Sequence, residues 1–376
     1  MKIAISRPEL ALLIGNIQGV VSSNPPIPIL ANVLIEAYNK QLTISVTNIT
    51  ISVCAQIEGI QIFEEGAIVL PARHFFSLIR ELTLPEVTFT TSNEEIAYIE
   101  AGHSRFRLNG ISKDAFPVFP DLSHENSFSI PSATLKTMFV KTLFAASRDI
   151  TRPFLNGVCM RIEEDRATFI GADGKHLSKI YTPIELEEGN HRCNYFIPIK
   201  SVEEIVKVIG YEGDTKVFLA EDKIGVESDH IFLVTQLSTE RYPNNVEQII
   251  PQKGKFTFAV HREELMTLLK QVMPFAFGKN HSVLFTLNPG ELTIIAQSSE
   301  VGEGKVSMSV DYSGEFFEMA LNPLAFYDLL RHSDDETVFL TLTNSYTPGL
   351  ITDSTTAKYV IMPMRLCSSC NDDIVG

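Results

Sequence analysis

Three stretches decide how this chain folds: KIAISRPELALLIGNIQGVV from Lys2, SFSIPSATLKTMFVKTLFAAS from Ser127 and KFTFAVHREELMTLLKQVMPF from Lys255. Each reads as a short alternating strand, a polar break and an amphipathic helix. Ile5, Ile130 and Val260 stand five residues before Leu10, Leu135 and Leu265, so the pattern repeats every 125 to 130 residues. A second pattern follows in each copy: an apolar strand end, a proline and another helix, in IVLPARHFFSLIREL, YFIPIKSVEEIVKVI and MALNPLAFYDLLRH. Proline suits a helix start because its missing N–H has no helical partner there. Ser6 and Glu9 also fit a capping box before the first helix.

Alternating runs such as QLTISVTN, RATFIGAD and ELTIIAQS, and longer strand-rich segments after each second helix, complete the pattern. Each repeat is two strand–helix–strands units, which predicts α+β domains with helices on one face of the sheets. Polar turn-like stretches, SHENS and PQKGK, set the boundaries: residues 1–125, 126–252 and 253–366, with 367–376 as a tail expected to be disordered.

The chain has 376 residues, 44% hydrophobic and 20% charged, which excludes wholesale disorder. No stretch reaches the ~20 apolar residues of a membrane span, and the N-terminus lacks a signal-peptide core. Five scattered cysteines argue against a disulfide scaffold and for a reducing compartment.

The net charge of -15 speaks against phosphate binding until its distribution is examined. Helices expected at about 7–21, 72–82, 132–148, 199–209, 261–275 and 323–332 carry eleven Lys and Arg against seven Asp and Glu. The rest of the chain carries twenty against thirty-nine. Arg73 and Arg80, Lys141 and Arg148, and Lys200 and Lys207 are each seven apart, so each pair would share a helix face; Lys136 adds a further helical cation. Two readings stand: a positive surface built from helices, or ordinary solvated faces, with Lys200 and Glu204 an i,i+4 pair.

No catalytic signature emerges. Asp173-Gly-Lys-His176 sets an acid beside a base, but Asp-Gly between alternating strands is a strong turn signal. Phosphate-loop, nucleophile-elbow and HExxH motifs are absent. Cys367 and Cys370 have CxxC spacing without two further zinc ligands, so they read as part of a frayed tail. No metal or cofactor is expected.

Across residues 1–366 the sequence resembles the bacterial DNA polymerase III β-subunit family, the replicative sliding clamps. The resemblance rests on PIPIL (26–30), LPARHFF (70–76), SRFRL (104–108), FLNG (154–157), ADGKHL (172–177) and KYVIMPMRL (358–366), in order over three repeats. It implies a non-catalytic, head-to-tail dimeric ring in the bacterial cytoplasm, associated with the nucleoid. Helices would line the hole around duplex DNA without sequence readout, and acidic sheets would form the outer wall.

By that resemblance Arg73 faces DNA, and Arg148 and Arg152 flank a segment that approaches it; Asn24 stands where some relatives carry arginine. Arg80, Lys136, Lys141, Lys200 and Lys207 complete the expected DNA-binding set. Polymerase, clamp loader and other motif-bearing proteins would dock in a pocket made by Leu155, Gly174, Lys175, His176, Leu177, Pro243, Asn322, Tyr346, Val360, Met362, Pro363, Met364, Arg365 and Leu366. Met362 and Met364 fit either an adaptable groove or ordinary core filling. Arg105, Phe106 and Leu108 would meet Phe275, Glu300 and Glu303 of a second copy. The alternatives are a clamp-like docking protein never loaded on DNA, and an α+β repeat enzyme centred on Asp173 and His176.

Overall fold

The computed structural model describes residues 1–92, 95–186, 193–243, 245–276, 282–298 and 300–364. Arg365, Leu366 and the tail 367–376 lie outside the described residues. Six α-helices occur among those described: α1 (Arg7–Ile17), α2 (Ala72–Glu81), α3 (Ser132–Leu143), α4 (Ile199–Val208), α5 (Arg262–Val272) and α6 (Pro323–Arg331).

Helix periodicity explains which faces are covered. In α2 the buried residues are Ala72, Phe75, Phe76 and Ile79, an i, i+3, i+4, i+7 stripe. In α1 they are Leu10, Leu13, Ile14 and Ile17. Pro71 occupies the N-cap of α2, Pro198 ends the strand before α4, and Pro323 is the first residue of α6. Asn322 caps α6, its Oδ1 accepting from the backbone N–H of Leu324 and Ala325. The expected capping box at Ser6 does not form: its side chain makes no cap hydrogen bond. Pro8 in the first turn has no N–H, and the Arg7 N–H donates instead to the Pro85 carbonyl.

Three helices stop earlier than their periodicity suggests. Helix α1 tightens into a 3₁₀ turn at Gln18–Val20, and α5 does so at Met273–Phe275, where Pro274 removes a helical donor. Helix α3 ends at Leu143. The Thr142 hydroxyl bonds back to the Met138 carbonyl, and the N–H groups of Ala145 and Ala146 bond three residues back.

The chain divides into two compact units, and the division cuts through the middle repeat. One unit holds Met1–Lys136, Ile184–His191 and Lys200–Ser238; the other holds Thr137–Pro183, Arg192–Ile199 and Thr239–Gly376. The cause is strand pairing between repeats. In the first unit an eight-stranded sheet joins Ile51–Glu58 to Ile231–Gln236, antiparallel, with Val53 opposite Leu233. In the second an eight-stranded sheet joins His176–Pro183 to Lys358–Ile361, with Leu177 opposite Val360.

Each unit also has a smaller sheet with an unpaired edge. The five-stranded sheet of the first unit ends on Ser104–Asn109, and the four-stranded sheet of the second ends on Gly302–Ser309.

Close packing of helix on sheet is tightest at Gly171, where an added Cβ would lie 2.0 Å from the Thr142 carbonyl oxygen. Gly171→Ala should therefore destabilise the second unit by about 3 kcal/mol, read as a lower thermal midpoint by scanning fluorimetry. A shift under about 0.5 kcal/mol would contradict this packing.

Candidate docking groove and basic helix faces

The cations expected on helices do not share one environment. Arg73 and Arg80 are exposed on one flank of α2, outside its buried stripe. Lys200 is exposed on α4. Lys207 is exposed too, but its Nζ lies 2.6 Å from Glu204. The i,i+4 pairing of Lys200 with Glu204 is thus replaced by an i,i+3 pair. Lys136 is half-buried, donating to the Ile209 carbonyl at 2.9 Å and sitting 4.0 Å over the Tyr211 ring.

Lys141 departs from expectation most clearly. It is 4% exposed and its Nζ pairs with Asp334 at 2.6 Å, so its charge is consumed inside the fold. Arg148 is exposed but lies beyond the end of α3, so it cannot share a helix face with Lys141. Arg152 is exposed, and its Nη1 donates to the Asp173 carbonyl at 3.3 Å.

The second unit packs an apolar cluster against its inter-repeat strand pair. Leu155, Leu177 and Val360 belong to one apolar cluster with Tyr242, Phe196 and Ile250. Leu155 is placed by the 3₁₀ turn Pro153–Leu155. Beyond Ile361 the Met362 N–H donates to the Lys175 carbonyl and the Met364 N–H to the Ala320 carbonyl, each at 2.8 Å. Met362, Pro363 and Met364 are half-buried beside this cluster, where adaptable side chains suit a ligand that repacks them. Pro243 is half-buried beside Tyr242; Tyr346 is 89% exposed, and Asn322 spends its side chain on capping α6.

The turn 173–176 is a turn in structure as well as in sequence. Gly174 has φ +85°, and Asp173 Oδ1 accepts from the N–H groups of Lys175 and His176 at 2.7 and 2.8 Å. Burial opposes ionisation of Asp173, but His176 and these two N–H donors together hold its pKa below the ordinary carboxylate range. His176 Nδ1 lies 3.1 Å from Asp173 Oδ1, yet neither ring nitrogen has an aligned hydrogen-bond partner. The two side chains are thus in contact without a directed bond. Burial pushes the Cys54 and Cys159 thiols up to about 11 and about 12, so neither is a ready nucleophile.

Sequence reasoning missed three groups here. The Tyr242 hydroxyl is buried without a protein partner. Phe144 stacks on His332, with ring centroids 3.8 Å apart and planes 5° apart, and lies 6.0 Å from His176. Burial also lowers the pKa of His332. No sequence signal points to these, because the partners are far apart along the chain.

On the free edge strands, Phe106 and Leu108 are half-buried between exposed Arg105, Arg107 and Asn109. Arg105 pairs with Glu100 of its own sheet. In the second unit Phe275 lies against the edge strand, 2.7 Å from where a Cβ of Gly304 would be; Glu300 and Glu303 are exposed beside it.

Comparison with known proteins is consistent from the first repeat to the third. Family models for the DNA polymerase III beta subunit match in order: the N-terminal domain at residues 1–120, the central domain at 129–244 and the C-terminal domain at 247–365. The beta sliding clamp of Chlamydia pneumoniae is 46% identical over 97% of this chain and 99% of its own length. That of Chlamydia muridarum is 44% identical, with 97% and 99% covered. The crystal structure of the Bacillus subtilis DNA polymerase sliding clamp superposes with a TM-score of 0.92 at 25% identity, over 98% of this chain and all of that one.

The buried lysine offers a direct check. Asp334→Ala should cost about 2 kcal/mol, less than a fully buried pair because the Asp334 side chain is 62% exposed. Adding Lys141→Met should recover most of that loss, since the unpaired ammonium is then gone. Thermal midpoints of the single and double variants give the comparison, and equal midpoints would mean the pair carries no weight.

Proposed function

We infer the working assembly from one premise: the chain belongs to the bacterial DNA polymerase III β-subunit family. It is a sliding clamp of three clamp domains, a processivity factor for the replicative polymerase and not an enzyme. The observation that carries this is the unbroken order of three family domains along a chain whose relatives, 44 to 46% identical, are sliding clamps. Among the described residues no helix is long and apolar enough to cross a membrane. We place its action in the cytoplasm, on nucleoid DNA.

We propose boundaries near residues 125 and 252, with shared sheets binding neighbouring domains. Two copies close into a ring by pairing the free strand Ser104–Asn109 of one with the free strand Gly302–Ser309 of the other. Three features support this. Both strands are edges of smaller sheets, and pairing would leave neither exposed. Phe106, Leu108 and Phe275 supply an apolar centre. Arg105 and Arg107 face an edge strand that carries Glu303 and Lys305, with Glu300 just before it.

DNA passes through the ring, attracted by Arg73, Arg80 and Lys200, with Arg148 and Arg152 as further contacts and Lys136 and Lys207 attenuated by their own partners. Diffuse phosphate attraction without base readout permits sliding. The groove around Leu155, Leu177, Val360 and Met362 receives short hydrophobic peptides of the polymerase, the clamp loader and other partners; Gly174, Lys175, His176, Pro243, Tyr346, Pro363 and Met364 form its walls and rim.

A loaded clamp should remain on closed circular DNA and leave once the circle is cut. Retention equal on circular and linear DNA would refute encirclement, and folded dimers that never load would favour a docking role alone. Arg73→Glu with Lys200→Glu should weaken binding and reduce the salt slope by roughly 0.9 for each phosphate no longer neutralised. An unchanged slope would remove these helices from the DNA-facing set.

Phe106→Ala with Leu108→Ala should shift sedimentation at sub-micromolar concentration from dimer to monomer. An intact dimer there would reject this edge as the interface.

A further inference from the structure

The first unit has a cavity at a strand joint assembled from the same parts as the strand joint of the second. The Gln236 N–H donates to the Thr50 carbonyl at 2.9 Å, as the Met362 N–H does to Lys175 at 2.8 Å. Asn48 Oδ1 accepts from the N–H groups of Thr50 and Ile51 at 3.2 and 2.9 Å, as Asp173 does from Lys175 and His176. The 3₁₀ turn Pro28–Ala31 buries Leu30, as Pro153–Leu155 buries Leu155. Residues 48, 49, 50, 51 and 236 therefore stand where 173, 174, 175, 176 and 362 stand in the other unit.

The correspondence breaks informatively at one position. Gly174 has φ +85°, a conformation that suits glycine. Its counterpart Ile49 has φ +81° although it is β-branched, which costs on the order of 1–3 kcal/mol. Core packing does not explain the cost, because Ile49 is 51% exposed. Its side chain instead lines a cavity of about 260 Å³ whose walls include Ile27, Leu30, Pro117, Val118 and Val234. Val118 is 94% exposed. A strained, half-exposed isoleucine on the wall of a mostly apolar cavity is the kind of backbone outlier that marks ligand-clamping positions.

We propose that this groove is a second docking site for linear peptides of partner proteins. It would take an extended segment with adjacent aliphatic or aromatic side chains and a carboxylate that displaces the exposed Asp222 from Lys223 on the lining, where the two now pair at 2.7 Å. The assignment rests on reading the second unit's groove as a peptide site. The cavity is smaller than the ~300–1,000 Å³ of drug-sized ligand pockets and suits a few side chains rather than a cofactor. Its walls also differ in kind. Proline and β-branched residues are stiff, whereas Met362 and Met364 repack, so the first unit's groove is the more selective of the two. Two partners with different motifs could then occupy one protomer together.

The test uses the full-length protein and a fluorescein-labelled pentapeptide, EILLF, followed by anisotropy. Wild type should bind at two sites. Met362→Asp should remove one, and adding Ile49→Gly with Val118→Asp should weaken the remaining site at least tenfold. Ile49→Gly alone should keep or raise the thermal midpoint, because it relieves the backbone, so its binding loss cannot be ascribed to unfolding. Binding that Met362→Asp abolishes completely in a folded protein would overturn the first unit's groove as a peptide site and leave the second unit's intact. No binding to wild type would overturn both. A fall in mass by light scattering on Val118→Asp would identify a second copy of the chain as the occupant, and would overturn the peptide assignment.

Discussion

Backbone hydrogen bonding across repeat boundaries is the constraint on which the rest depends. Ile231–Gln236 pairs with Ile51–Glu58, and Lys358–Ile361 pairs with His176–Pro183, so neighbouring repeats share sheets instead of merely touching. A shared sheet fixes register, since a one-residue slip would turn buried Val53, Leu233, Leu177 and Val360 to the wrong face. Each pairing also ends in the same way, in a turn, a 3₁₀ segment and a crossing backbone bond, so the local geometry follows from the joint itself and not from a separate device.

Charge is distributed by the same architecture. Sheets keep one face for the helices, and α2 keeps its apolar stripe for the sheet, which leaves Arg73 and Arg80 outward. The total of -15 is compatible with DNA binding because phosphates sense local potential rather than the sum. The fold also spends some of its cations internally: Lys141 on Asp334, Lys207 on Glu204, and Lys136 on a carbonyl and a ring.

Local pattern made the helices legible, because periodicity is written in residues three and four apart. Phe75, Phe76 and Ile79 announce the buried face of α2 without reference to anything distant. The end of α3 was not legible, since it depends on a hydroxyl bonding back to a carbonyl and on Gly171 pressing against that turn. Nor was the fate of Lys141, whose partner lies nearly two hundred residues away. That Leu155, Leu177 and Val360 come together in one region followed from family resemblance alone. The strain at Ile49 was invisible, because a dihedral angle is set by the turn that holds the residue and not by its identity. Arg365 and Leu366, expected in the groove wall, fall outside the described residues.

The edge strands Ser104–Asn109 and Gly302–Ser309 differ from each other, one carrying arginines and half-buried Phe106, the other Glu303, Lys305 and glycines. Joining unlike edges is a polar operation: it leaves one unused edge of each kind on the growing assembly. Such contacts close into a circle only if the rotation from one copy to the next divides a full turn; otherwise they run on as a fibre. Closure is then a demand on the whole protomer and not on the edges alone: a substitution far from either edge that altered the rotation would change the number of subunits while leaving the contact chemistry untouched.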